Sequence, residues 1–356
     1  MSGSSARWIS GPSRLSKPRS ARLNEPWRAR GGSWCVTRAR SRWHASWSRG
    51  PTRRPSATGP ERSPPRSGRR SEKNRQGQRH PTAIANKAPA PRSPPSGYPE
   101  IAVAVGKSRG RGEELILFVG LDHLAALRTA GVARDPEPVV AAALAELAGA
   151  GGISITLGRE RTGMQERDLR LLRETARTPL NVCLPPQDEW IKLALGVRPD
   201  LVTLVPETRE GLGGERGLDV EDRRAEIARI TETLKSAGIP TSALVEPTPG
   251  QVKAAHRAGT TAVLLHTGRF SWADNPAARA AELDRLVTAA KMGHKLGLVV
   301  HAGGGLGPET LGEIAPIPEI GAVHVGHAFI ARAVLVGIRE AVRDLLGVLS
   351  RAGGQA

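Results

Sequence analysis

Three consecutive glycines end one apolar run of the chain. Leu298-Val299-Val300-His301-Ala302 leads into Gly303, Gly304 and Gly305. Glycines at the end of a buried strand let backbone approach a ligand closely, and the N–H groups exposed there favour anions. A second pattern of this kind, Ala322-Val323-His324-Val325, runs into Gly326-His327. The pair of clusters points to a phosphate; the plainer reading is two tight turns. Groups able to move protons stand after other apolar runs: Asp122-His123, Cys183, Glu207, Glu246 and His266, with Glu160 between Arg159 and Arg161. His123 is the titratable group best placed for chemistry, although a structural histidine bonded to backbone fits equally. Neighbouring strand residues point to opposite faces, so Asp122 and His123 are no obvious dyad. Cys183 reads either as a nucleophile or base, or as a small buried hydrophobe. Glu160 and Glu207 read as carboxylates for catalysis, or as a solvated side chain and a turn residue. His266 and His327 read as anchors for loops or phosphate. His301 stands three residues before Gly304, about 10 Å along an extended strand.

These positions need a scaffold, and the chain supplies a regular one. Short β-like runs occur at 115–121, 153–157, 180–184, 201–205, 242–245, 262–266, 296–302 and 322–327. Helix-like segments separate them, from "PVVAAALAELAGA" to a last one read as "AFIARAVLVGIREAVRDLLGVLSRAG". Eight strands, each followed by a helix, predict a closed (β/α)8 TIM barrel over residues 113–356, an α/β fold. An open doubly wound sheet is the alternative, but no dinucleotide fingerprint accompanies the repeats. The site is then expected at the C-terminal ends of the strands, where the residues above fall.

The stretches "GLDHLAALR" (120–128), "LVPETREGLGGERGLDV" (204–220), "LLHTGRF" (264–270), "HAGGGLG" (301–307), "IPEI" (317–320) and "VGHAFIARAV" (325–334) resemble the pyridoxine 5′-phosphate synthase family, across residues 114–350. The resemblance implies a TIM barrel, a homo-oligomer, a place in vitamin B6 biosynthesis and transferase chemistry. The family condenses 3-amino-2-oxopropyl phosphate with 1-deoxy-D-xylulose 5-phosphate to give pyridoxine 5′-phosphate, phosphate and water. It implies substrate-binding roles for Asp122, His123, Gly305, Gly326 and His327. The catalytic His, Glu and His of the family fall on Thr156, Cys183 and Gly304, and its transition-state glutamate falls on Leu264. The family's first-strand Asn falls on Gly120, and other substrate contacts fall on Gly131, Gly158, Gly163 and Gly213. Three readings follow: a synthase with rearranged groups, a barrel turned to another phosphorylated small molecule, or a non-catalytic phosphate-ligand-binding subunit.

Charge divides the chain in two. Residues 1–100 hold 22 Lys and Arg against 4 Glu, while the remainder holds 30 of each sign. The whole excess of +18 therefore sits in the first hundred residues, with five of seven tryptophans and half of the 28 prolines. Residues 1–112 read as a disordered basic extension. It is open to three readings: a nonspecific nucleic-acid tail, a targeting segment, or translated upstream sequence with the start near Val103 or Val105. The neutral remainder gives nucleic acid no other foothold. No apolar h-region marks a secretory signal, and no run reaches membrane-spanning length. Cys35 and Cys183 lie in different regions and make neither a zinc pattern nor a disulfide framework, which fits the cytoplasm. No cofactor and no metal are expected.

Overall fold

The computed structural model describes residues 115–130, 135–158, 163–207 and 216–353. The basic extension, Gly131, Arg159, Glu160, Arg161 and Gly213 lie outside the described residues.

Eight parallel strands close into a barrel: β1 (Ile116–Gly120), β2 (Gly152–Thr156), β3 (Leu180–Leu184), β4 (Leu201–Leu204), β5 (Thr241–Val245), β6 (Ala262–His266), β7 (Val299–Gly303) and β8 (Ala322–Val325). Closure comes from β1 on β8, with Ile116 opposite Ala322 and Val119 opposite Val325. Each apolar run of the sequence becomes one strand. The runs are continuous because both faces are covered: every residue of β1, β3, β5, β6 and β7 is buried.

The helices are α1 (Asp122–Ala130), α2 (Pro138–Leu147), α3 (Glu166–Thr175), α4 (Asp188–Val197), α5 (Arg224–Ser236), α6 (Pro249–Arg257), α7 (Gly268–Ser271), α8 (Pro276–Lys295), α9 (Pro308–Ile314), α10 (His327–Val336) and α11 (Ile338–Gly353). Their starts follow from local chemistry. Thr248 and Asn275 accept from the backbone N–H groups of Gln251 and Ala278, and proline opens α6 and α8 where no donor is needed. The final segment, read from the sequence as one helix, is two. Gly337 at φ 86° turns the chain between α10 and α11, because the left-handed region costs glycine little.

Two apolar clusters form. The larger lies between sheet and helices, around Leu117, Val119, Ile153, Leu169 and Leu172. The smaller, Ile116, Phe118 and Ala322, fills the barrel interior. Above it runs a polar layer in which Asn181 Nδ2 donates to Ser154 Oγ (3.0 Å) and Thr203 Oγ1 donates to Asn181 Oδ1 (2.7 Å). On the outside, Phe329 and Ile330 of α10 pack inward, whereas Val334 and Leu335 are 67% and 77% exposed.

One ion pair ties the first helix to the third. Arg128 of α1 donates to Asp168 Oδ1 at 3.0 Å, and its second arm reaches both Asp168 Oδ2 and the Gly163 carbonyl. Asp168 is wholly buried and also accepts from the Gln165 N–H.

Candidate active site

A cavity of about 430 Å³ opens at the C-terminal ends of the strands. Its wall holds Asp122, His123, Thr156, Cys183, Leu264, Gly304, Gly305, Gly326 and His327 together. The topology explains the gathering. Most of these residues end their strand or begin the segment that follows, while Cys183 and Leu264 lie within β3 and β6, and closure of the sheet turns them all to one mouth.

Asp122 opens α1 directly after β1 and reaches across to β2. Its Oδ1 accepts from the Thr156 N–H (2.6 Å) and its Oδ2 from the Thr156 hydroxyl (2.9 Å). Burial pushes the carboxyl up to about 6 against those two hydrogen bonds, which pull it down. The folded state thus holds this proton more tightly than the unfolded chain does. The stability it confers is full below the ordinary value of 3.8 and falls as pH rises to about 6. Part of Asp122 still faces the cavity, so the loss is on the order of 1 kcal/mol. Urea unfolding at acid and neutral pH tests this: Asp122→Asn is expected to gain on the parent chain by about that amount between pH 4 and pH 7.

His123 sits with its ring edge-on to His327, centroids 4.9 Å apart. Burial, then the neighbouring His327, lowers its pKa, so it is a neutral imidazole at physiological pH. His327 begins α10, with Gly326 at its N-cap. Asp122 and His123 do part company, Asp122 bonding to Thr156 of β2 and His123 meeting His327 of α10, but as the first two residues of α1 and not as the strand neighbours the sequence suggests.

Cys183 is buried on β3 within reach of Ser154 Oγ (3.8 Å) and Asn181 Nδ2 (3.4 Å). Burial, then the charge of Asp122, pushes its thiol up to about 12. A thiol with that pKa stays protonated, which favours the small-hydrophobe reading over the nucleophile. Leu264 of β6 is 6% exposed and brings only hydrocarbon. Gly304 has φ 102°, and a β-carbon there would stand 2.6 Å from His266 Cδ2. The imidazole of His266 thus packs straight onto the Gly304 backbone. It is held from the other side by the Glu246 carboxylate, 3.5 Å from Nδ1. Glu246 in turn accepts from the Gly217 N–H at 2.9 Å. Glu207 accepts from Gln187 Nε2 at the rim.

Residue-by-residue reading of the sequence did not single out two features. His301 and His324 meet at the cavity floor, Nδ1 to Nε2 at 3.1 Å, with His324 stacked on Phe118 (4.6 Å). Burial, then His301, drives the pKa of His324 well below its ordinary value. The other is Trp272, beyond α7, which lines the mouth at 59% exposure. Alternation along β7 and β8 marks His301 and His324 as candidates for the interior, but only the barrel register makes them partners. Among the described residues no group of three His, Cys, Asp or Glu side chains is arranged to hold a metal. No helix among them is long and apolar enough to cross a membrane.

Comparison with known proteins decides the family. The family model described as "Pyridoxal phosphate biosynthesis protein PdxJ" matches residues 117–351. The chain belongs to the PdxJ family. It is 44% identical over 234 residues to the pyridoxine 5′-phosphate synthase of Syntrophobacter fumaroxidans, covering 66% of this chain and 98% of that one. It is 47% identical over 233 residues to the synthase of Syntrophotalea carbinolica, covering 65% and 96%. The matched region is the barrel, so this PdxJ member spans nearly the whole length of those relatives.

Proposed function

We propose that this PdxJ-family barrel binds a phosphorylated small molecule at its mouth but lacks the groups with which the family moves protons. The observation that carries this reading is the chemistry of four positions in one cavity wall. Thr156 gives its hydroxyl proton to Asp122, the Cys183 thiol is protonated, Leu264 is hydrocarbon and Gly304 has no side chain. None of the four offers an acid or base near neutral pH, and ring closure with loss of water and phosphate needs several.

The binding end supports the other half. Asp122, His123, Gly305, Gly326 and His327 all line the cavity. The N–H groups of Gly305 and of the Gly326–α10 turn are of the kind that take phosphate oxygens. The family's substrates, 3-amino-2-oxopropyl phosphate and 1-deoxy-D-xylulose 5-phosphate, are therefore the first ligands to try. The reading includes self-association, supported by the exposed Val334 and Leu335 of α10.

Thermal unfolding of the full chain with each phosphate tests the binding half. A ligand at a hundred times its Kd is expected to add about 2.7 kcal/mol of stability. His327→Ala, which removes a side chain from the phosphate end, is expected to shrink that gain. If neither compound nor inorganic phosphate stabilises the chain at millimolar concentration, the phosphate reading is wrong.

A further inference from the structure

The glycines around the mouth give room to a side chain of the protein itself. The indole of Trp272 lies across two of them. A β-carbon on Gly305 would stand 2.9 Å from Trp272 Cε2 and Cζ2, and one on Gly268 would stand 2.7 Å from Cζ3. Either would displace the ring. The indole is therefore seated by the absence of two side chains, with His266 edge-on to it at 6.4 Å. Its remaining surface is open: the residue is 59% exposed and lines the cavity. A large aromatic seated on one side and bare on the other, next to the glycine rim, is a surface for stacking.

The wall beyond it has the matching character. Leu244, Leu264, Leu306 and the protonated Cys183 line it. Several polar groups near them are already joined to one another: Asp122 with Thr156, His301 with His324, and Ser154 with Asn181; His123, Glu207, His266 and His327 also line the cavity. A ligand body carrying several hydroxyls, laid against Leu244, Leu264, Leu306 and Cys183, would give up water there for hydrocarbon and a thiol, which is unfavourable for each hydroxyl left unmatched. A flat ring would give up little and gain the indole face.

We propose that Trp272 sets the specificity of the cavity, selecting a phosphomonoester with a flat aromatic body over one with a hydroxylated chain. The proposal rests on the reading that the glycine rim takes the phosphate.

Isothermal titration calorimetry on the full chain tests it with three probes: phenyl phosphate, glycerol 3-phosphate and inorganic phosphate. Phenyl phosphate is expected to bind about tenfold more tightly than glycerol 3-phosphate, the equivalent of about 1.4 kcal/mol. Trp272→Ala is expected to remove most of that ratio, and Trp272→Phe to keep part of it. The indole's exposure makes both variants tolerable to the fold, which the retained thermal transition checks. Equal affinities for the two esters in the parent chain, or a preference that survives Trp272→Ala, would overturn the role of Trp272 alone. Binding of none of the three probes would remove the phosphate reading and this proposal with it.

Discussion

Given 3-amino-2-oxopropyl phosphate and 1-deoxy-D-xylulose 5-phosphate together, the full chain is expected to form pyridoxine 5′-phosphate at least about 10⁴-fold more slowly than the Syntrophobacter fumaroxidans relative assayed beside it. One positioned acid or base contributes about 10²- to 10⁴-fold, and groups that act as a unit do not multiply when lost together. On the proposed reading three such groups are absent, at Thr156, Cys183 and Gly304, and a charge stabiliser is absent at Leu264. Several of the groups left nearby are poor stand-ins. The Cys183 thiol is protonated far above neutrality. Asp122 spends both oxygens on Thr156. His301 and His324 face each other below the cavity. Product fluorescence measures the rate directly. A rate within tenfold of the relative, lost on Asp122→Asn, would place working chemistry on Asp122 and overturn the reading.

Asp168→Ala is expected to destabilise the barrel by about 3–5 kcal/mol. The Arg128 guanidinium is 9% exposed and its partner is fully buried. Removing the carboxylate leaves a cation in the interior with one carbonyl, that of Gly163, and the more distant Glu137, 3.9 Å away and partly exposed. The same carboxylate holds the Gln165 N–H at the start of α3, so a helix cap goes with it. Replacing both partners, as in Arg128→Leu with Asp168→Leu, is expected to cost much less, because no charge is then stranded. Urea denaturation of the parent, the single variant and the double variant reads the difference. A single variant within 1 kcal/mol of the parent would show that water reaches the pair.

The barrel was legible because its signals are local. A strand covered on both faces is mostly apolar, and each of the eight runs was, with Ser154, Asn181, Thr203, His301 and His324 among the polar exceptions inside the barrel. The positions after those runs were legible as a site for the same reason, since strand ends share one mouth. What escaped depends on contacts between distant residues. His301 and His324 are ordinary members of two different strands until the β7–β8 register sets them side by side. Trp272 is a single aromatic in a short connection, and nothing local says that Gly268 and Gly305 make its seat. The glycine cluster itself was read as backbone laid bare for an anion. In the folded chain the space beside Gly304 and Gly305 is taken by His266 and Trp272. A missing side chain in a sequence does not say which neighbour has moved into its place. The break at Gly337 was hidden because glycine inside a helical pattern is tolerated as often as it terminates one.

The pairing of β1 with β8 joins segments some two hundred residues apart. Every strand thereby has two neighbours, and the sheet presents no row of open backbone N–H and C=O groups to another molecule. Chain termination anywhere before β8 would undo that at once, leaving β1 and the last strand present each with a bare, apolar edge. A shortened copy of this gene would thus yield not a smaller barrel but a sticky sheet, prone to join others strand to strand. Inheritance must carry the whole ring or nothing usable, whatever becomes of the side chains at its mouth.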